Sequence, residues 1–177
     1  MSEKPTNKAA DADMLELLGD GEGFRDQLCA LIEGSPMFSD LSRADVQVLA
    51  RYLRAYLAKK GATIFKEGEK GQFMCVVLEG RVDILKETHE RAKKKVATVR
   101  PGKSMGEMSL LDDLPYSATA QACEDTTLLM LTKLQFERLS EEQPVVCNQL
   151  MRQIARLMSL RLRQTTGILL DYLGEEK

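Results

Sequence analysis

The chain of 177 residues is 44% hydrophobic, which is enough for one buried core with a helical extension. Its 25 Lys and Arg residues against 27 Asp and Glu residues give a net charge of −2, so charge gives no reason to expect a nucleic-acid or membrane partner. The 4 cysteines show neither CxxC nor zinc-type spacing, the polar N-terminus resembles no signal peptide, and no apolar run could span a membrane. We therefore expect a cytoplasmic protein with reduced, buried thiols.

The first 34 residues are the acidic end of the chain, with eight acidic and three basic side chains. Residues 1 to about 12 are polar and lack periodicity, which predicts disorder. Between residues 14 and 32 the apolar positions have helical spacing, interrupted by GDGEG at 19–23. This pattern predicts two short helices joined by a glycine turn, within an acidic helical extension that covers residues 1–34.

Residues 35–61 carry the signals of one helix. Ser42 precedes it with Asp45 three residues later, a variant of the capping box, and Gly61 follows two lysines at its end. We therefore predict a helix from Ser42 to about Lys60. Its expected buried stripe consists of Val46, Leu49, Ala50, Leu53 and Leu57.

Short runs of β-branched and aliphatic residues follow between residues 62 and 131, separated by Gly68, Gly71, Gly80 and Pro101-Gly102. Such runs predict antiparallel strands joined by tight turns. The charged stretch 86–99 is predicted to be a solvated hairpin. Together these strands predict a small antiparallel β-roll, a jelly-roll-like barrel.

After Thr132 the helical period returns. A short helix that ends near Ser140 precedes a long helix that begins near Pro144, because proline loses no hydrogen bond in a first helical turn. The long helix has a wide apolar stripe, which must cover the barrel, a sister helix or both. The predicted fold is thus α+β, an antiparallel β-roll with N-terminal helices and a long C-terminal helix.

The long helix is also a local basic stripe. Between residues 143 and 170 it has no acidic residue, yet it carries Arg152, Arg156, Arg161 and Arg163. One interpretation is that these arginines face solvent or pair with the acidic N-terminal segment. Another is that Arg161 or Arg163 reaches a ligand site on the roll.

Residues 105–119, MGEMSLLDDLPYSAT, carry the chemistry of the β-rich region, and we call this segment the cassette. Gly106 and Glu107 open a short helical turn whose unpaired N–H groups favour an anion. Gly106 would let a ligand approach the backbone, and Glu107 offers a carboxylate to a hydroxyl. The segment therefore predicts a receptor for a phosphate and a sugar.

Together with GATIFKEGEKG at 61–71 and VVLEGRV at 76–82, the cassette resembles that of the cyclic nucleotide-binding domain family, which includes catabolite-activator-like and protein kinase A regulatory-subunit-like proteins. The resemblance spans about residues 36–165. It implies a nucleotide-binding roll with flanking helices over residues 35–143, and a lid or dimerisation helix over residues 144–177.

The resemblance also implies a ligand site. Glu107 takes the role of binding the ribose 2′-hydroxyl, while Ser117 and Thr119 fall at positions that donate to the cyclic phosphate. The expected ligand-binding residues are Gly106, Glu107, Met108, Ser109, Tyr116, Ser117 and Thr119.

Tyr116 stands where the family places an arginine. A guanidinium fork on a phosphate is worth about 1.5–3 kcal/mol, and a phenol cannot supply its charge. Tyr116 then either packs within the fold, or stacks on a base or donates one hydrogen bond to a different nucleotide. Arg161 or Arg163 of the long helix would be the substitute for the missing charge.

Two functions follow from these patterns. The first is a regulatory module that senses cAMP, cGMP or a cyclic dinucleotide and signals through the C-terminal helix, to a partner protein or by self-association as a homodimer. The second is a protein-interaction module that keeps the roll without nucleotide affinity. Neither a nucleic-acid nor a membrane partner is expected, and the chain ends with the long helix, without a helix-turn-helix after it.

An enzyme is not expected. Metal-dependent chemistry in a jelly-roll barrel needs several His and carboxylate ligands around one ion, and the chain has 1 histidine. It also lacks a P-loop and a nucleophile motif. We therefore predict no catalytic residue, no metal site and no cofactor.

Overall fold

The computed structural model describes residues 14–33, 35–88 and 92–174, so the predicted disorder of residues 1 to about 12 lies outside the described residues. The strands are Leu15–Asp20 (β1), Arg54–Ala58 (β2), Thr63–Phe65 (β3), Phe73–Glu79 (β4), Val82–Glu87 (β5), Lys93–Val99 (β6), Ser104–Met105 (β7), Thr119–Ala122 (β8) and Thr126–Thr132 (β9). The helices are Gly21–Glu33 (α1), Arg43–Leu49 (α2), Glu107–Asp112 (α3), Lys133–Glu142 (α4) and Pro144–Gly174 (α5), with short 3-10 turns at Pro36–Phe38 and Ala50–Tyr52.

The strands form two antiparallel sheets that make up the roll. One sheet has the order β1-β2-β9-β4-β7, and the other has the order β3-β8-β5-β6. Strand β4 is buried on both faces, because successive side chains of a strand point to opposite sides. Met74 and Val76 pack against the helices, whereas Cys75 and Val77 point into the roll. The predicted roll is thereby confirmed.

The helices cover the outer face of the five-stranded sheet and share one hydrophobic cluster with it. Its fully buried members include Leu28 of α1, Leu49 of α2, Leu139 of α4 and Ile154 of α5. The first half of α5 is therefore fixed to the body of the protein. The helix continues without a break to Gly174, so the predicted long C-terminal helix is confirmed.

The N-terminal segment differs from the prediction of two short helices. Its first part is strand β1, which pairs with β2 from Leu15↔Ala58 to Asp20↔Arg54, and only the second part is helical, as α1. The run of Met14, Leu17 and Leu18 is too short to fix its own helix, and the glycines that follow interrupt any helix there. Pairing along a sheet edge satisfies its backbone instead.

The predicted helix from Ser42 to Lys60 is also wrong in its second half. The capping box of Ser42 and Asp45 is present, but α2 ends at Leu49 and a 3-10 turn leads into strand β2. Strand β2 lies between β1 and β9, where its backbone groups pair on both sides. Tertiary pairing therefore outweighs the helical spacing of this stretch.

Candidate functional site

A cavity of about 500 Å³ lies between the roll and α5. The roll lines it with Phe65, Ile84 and the segments 96–99, 103–109 and 116–118, which include most of the cassette. Six residues of α5 line the opposite side, namely Leu157, Leu160, Arg161, Gln164, Thr165 and Ile168. They follow the pattern i, i+3, i+4, i+7, i+8, i+11, which places them on one face of the helix, so α5 closes the cavity with a single stripe.

Gly106 shapes the entrance to the short helix α3. Its φ of +80° lies in the left-handed region, which side chains disfavour. A Cβ at this position would lie 2.9 Å from the carbonyl oxygen of Phe73 and 3.3 Å from Cε1 of Tyr116. Gly106 therefore combines an unusual backbone angle with a close approach of two chain segments.

Glu107 is the buried charge of the site, with only 3% of the residue exposed. Its Oε1 accepts a hydrogen bond from Nη1 of Arg161, and the two side chains form an ion pair. Nη2 of Arg161 donates to the carbonyl oxygen of Ser104. The guanidinium of Arg161 in α5 therefore binds both the cassette and the residue before it.

Two buried oxygens at the cavity have no hydrogen-bond partner within the part of the chain that the structure describes. They are Oε2 of Glu107 and Oγ of Ser104, and both residues line the cavity. An unpaired buried polar atom is costly, so it points to a missing donor or acceptor. Ser104 was not anticipated from the sequence, where a serine in a two-residue strand gives no signal.

Tyr116 is 4% exposed, and its hydroxyl is occupied by the backbone of β4 and the residue before it. The hydroxyl accepts from the N–H groups of Gln72 at 3.2 Å and Phe73 at 3.1 Å, and donates to the carbonyl of Phe73 at 2.9 Å. The ring stacks on Phe65 with 4.1 Å between centroids. Burial raises the pKa of Tyr116 to about 12. These contacts describe a packing residue, whose hydroxyl has no remaining hydrogen bond to offer a ligand.

Six of the seven expected cassette residues line the cavity, and Thr119 does not. The hydroxyl of Thr119 accepts from the N–H of Glu67 at 3.0 Å, and the residue is buried. The side chain thus stabilises the loop after β3, and its expected donation to a phosphate stays a prediction. Ser117 does line the cavity, and its carbonyl accepts from Lys86.

The two candidate lid arginines have different positions. Arg161 lines the cavity, whereas Arg163 is exposed and does not line it. Two residues along a helix correspond to a rotation of about 200°, so the two side chains lie on nearly opposite faces. The structure therefore places Arg161 at the cavity and Arg163 away from it, which differs from the expected contact of Arg163.

The described residues contain no group of three or more His, Cys, Asp or Glu side chains that could hold a metal ion. Nor does any described helix have the length and hydrophobicity to cross a membrane.

Comparison with known proteins gives a consistent result. The family model for the cyclic nucleotide-binding domain matches residues 57–143. The cyclic AMP receptor protein of Thermus thermophilus is 34% identical over 146 residues, which are 82% of this chain and 65% of the relative. A cyclic nucleotide-gated potassium channel of Rhizobium etli is 32% identical over 66% of this chain and 31% of its own length. The chain thus spans less than two thirds of either relative.

Solved structures share the fold. A cyclic nucleotide-binding domain from Methylobacillus flagellatus superposes with a TM-score of 0.79 at 24% identity, over 90% of both chains. The catabolite activator protein of Thermus thermophilus gives a TM-score of 0.67 at 34% identity, over 79% of this chain and 63% of its own. The resemblance of the sequence motifs is thereby confirmed, and the chain belongs to the cyclic nucleotide-binding domain family.

Proposed function

We propose that the chain is a regulatory module that binds a cyclic nucleotide, or a closely related ribonucleoside, in the cavity beneath α5. One observation carries the proposal: Glu107 lines the cavity, and its buried Oε2 has no partner among the described residues. A ribose hydroxyl is a donor of the right kind, because a carboxylate oxygen only accepts. The names of the relatives, a cyclic AMP receptor and a cyclic nucleotide-gated channel, support the same ligand class.

The pair of Arg161 and Glu107 would couple the ligand to α5. A ligand that donates to Glu107 changes the carboxylate to which the helix is attached. It can shift the position of α5 only if it binds one position of the helix more tightly than another. Contacts with Gln164 and Thr165, which line the cavity from the same helix, would supply such a preference.

The signal would leave through the far half of α5, by self-association with a second copy. Leu162 and Leu169 are 69% and 56% exposed and lie seven residues apart, which is the spacing of a helix pair. Both side chains would lose their contact with water in such a pair. The cavity-lining stripe of α5 would remain free to face the ligand.

Isothermal titration calorimetry with cAMP, cGMP, cyclic di-GMP, adenosine and guanosine tests the proposal, using wild-type protein, Glu107→Ala and, as a control, Glu137→Ala on the exposed face of α4. We expect at least one ligand to bind with a micromolar or lower Kd. Glu107→Ala should abolish the heat and Glu137→Ala should leave it unchanged. Binding that survives Glu107→Ala would contradict the proposed site.

A second candidate function is a protein-interaction module without nucleotide affinity. The observation in its favour is that both groups expected to meet a phosphate are engaged, Tyr116 with the backbone and Arg161 with Glu107. This function predicts no heat of binding with any of the five ligands. It also predicts that the protein self-associates to the same extent with and without them.

A further inference from the structure

The ionic side chains that line the cavity carry one net positive charge, and it lies on an exposed lysine. Among its lining residues the ionic side chains are Lys103, Glu107 and Arg161. Glu107 and Arg161 neutralise each other as an ion pair, and each guanidinium contact is made to an atom of the protein. Lys103 is exposed at the rim, where water and salt screen its charge.

A cyclic phosphate would therefore enter a site where the guanidinium of Arg161 already binds Glu107 and Ser104. The hydroxyl of Tyr116, the residue in the arginine position of the cassette, already accepts two hydrogen bonds from backbone groups and donates its proton to a third. A phosphate would also bring a second negative charge into the cavity that holds the buried carboxylate of Glu107. Desolvation of an anion without a paired cation opposes binding.

An uncharged ligand avoids both the repulsion from Glu107 and the desolvation of an unpaired anion. Its ribose can donate to the unpaired Oε2 of Glu107 and to the unpaired Oγ of Ser104. A flat base can pack between the apolar lining of the roll, such as Ile84 and Val96, and that of α5, such as Leu160. Neither oxygen takes part in the hydrogen bond between Arg161 and Glu107, which uses Oε1 of Glu107.

We propose that this site prefers an uncharged ribonucleoside over the corresponding cyclic nucleotide. This inference rests on the proposed function, since it specifies which ligand of that class occupies the cavity. The preference has its origin in two residues, Tyr116 in the arginine position and Arg161 in its contact with Glu107.

The test compares matched pairs, adenosine with cAMP and guanosine with cGMP, by calorimetry of the full chain. The inference holds if the nucleoside of the better-bound pair has the lower Kd, and it is overturned if the cyclic nucleotide binds more tightly. If cyclic di-GMP alone binds, the inference is overturned, and if none of the five ligands binds, the proposed function itself fails. Raising the salt concentration from 50 to 500 mM should leave the nucleoside Kd within about twofold, because a neutral ligand is not screened.

A positive charge introduced by substitution provides a second test of the preference. Ser117 is exposed, lines the cavity and directly follows Tyr116, so Ser117→Arg adds a guanidinium without disturbing the hydrogen bonds of Tyr116. It should shift the ratio of nucleoside to cyclic-nucleotide affinity at least tenfold towards the cyclic nucleotide. Ser117→Gln, which adds a longer polar side chain without a charge, should shift the ratio by much less than Ser117→Arg. An unchanged ratio in Ser117→Arg would contradict a preference that is based on charge.

Discussion

Arg161 of α5 and Glu107 of α3 form an ion pair across 54 residues of sequence, and this pair joins the lid helix to the floor of the cavity. The carboxylate is buried at 3% exposure, whereas the Arg161 side chain remains 41% exposed. Both residues line the cavity, so the pair lies where the proposed ligand would bind.

Removal of Arg161 should destabilise the protein and loosen α5. Arg161→Ala leaves a buried carboxylate without its cation, which we expect to cost about 1–3 kcal/mol in the free energy of unfolding. The partial exposure of Arg161 favours the lower part of that range. Urea unfolding followed by circular dichroism measures the difference. Arg163→Ala, on the exposed face of the same helix, is the control and should stay within about 0.5 kcal/mol of wild type.

The hydroxyl of Tyr116 should make stability sensitive to alkaline pH. Burial raises the pKa of Tyr116 to about 12 in the folded protein, above its usual value near 10. The stabilisation is therefore complete below about pH 10 and is lost as the pH rises towards 12, about 2–3 kcal/mol in total. Measurement of the free energy of unfolding between pH 8 and pH 11 should show this decline.

Tyr116→Phe is the control for that decline. It removes three hydrogen bonds to Gln72 and Phe73, so it should lower stability at pH 8 by about 1–3 kcal/mol. The buried thiol of Cys75, whose pKa burial also raises, is present in both proteins and cancels in the comparison. If wild type and Tyr116→Phe lose stability equally between pH 8 and pH 11, Tyr116 is not the titrating group.

Gly106→Ala should cost more stability than Gly61→Ala. Both glycines have positive φ values, +80° and +87°. An alanine in this left-handed region should therefore lower the free energy of unfolding by about 1 kcal/mol at either position. Only at Gly106 would the new Cβ collide with backbone, since nothing lies within 4 Å of a Cβ at Gly61. We expect an excess of at least about 1 kcal/mol for Gly106→Ala by thermal unfolding. Equal costs would mean that the cassette relaxes around the methyl group.

Charges on the far half of α5 should prevent self-association without unfolding the protein. Leu162→Glu with Leu169→Glu would place two carboxylates on the proposed interface, and Arg163→Glu would place one on another face of the helix. Sedimentation velocity should give a monomer for the double variant and a dimer for wild type and Arg163→Glu. A wild-type monomer at 100 μM would contradict self-association through α5.

The roll and the long helix could be predicted because their signals are local. Turn glycines, β-branched runs and the capping pair of Ser42 and Asp45 act within a few residues. That the segments of β1 and β2 form strands rather than helices could not be predicted in this way. Their apolar residues have helical spacing, and the pairing partners that override it lie 34–43 and 68–76 residues away along the chain.

The site was predictable in part for the same reason. Glu107 and its neighbours follow each other in one segment, so their pattern is visible in the sequence. The contacts of Arg161 with Glu107 and of Tyr116 with the β4 backbone depend on tertiary packing. Sequence spacing could place Arg161 near the cassette but could not say that its guanidinium would bind the carboxylate, or that Thr119 would face the loop after β3.

The most direct test of the account is a comparison of adenosine with 2′-deoxyadenosine on wild-type protein and Glu107→Gln. If the 2′-hydroxyl donates to Glu107, wild type should lose about tenfold to a hundredfold in affinity for the deoxy ligand, as expected for a hydrogen bond to a charged group. Glu107→Gln should bind the two ligands within about threefold of each other. Equal affinity of wild type for both ligands, or no binding of either ligand and of cAMP at millimolar concentration, would contradict a ribose site at Glu107.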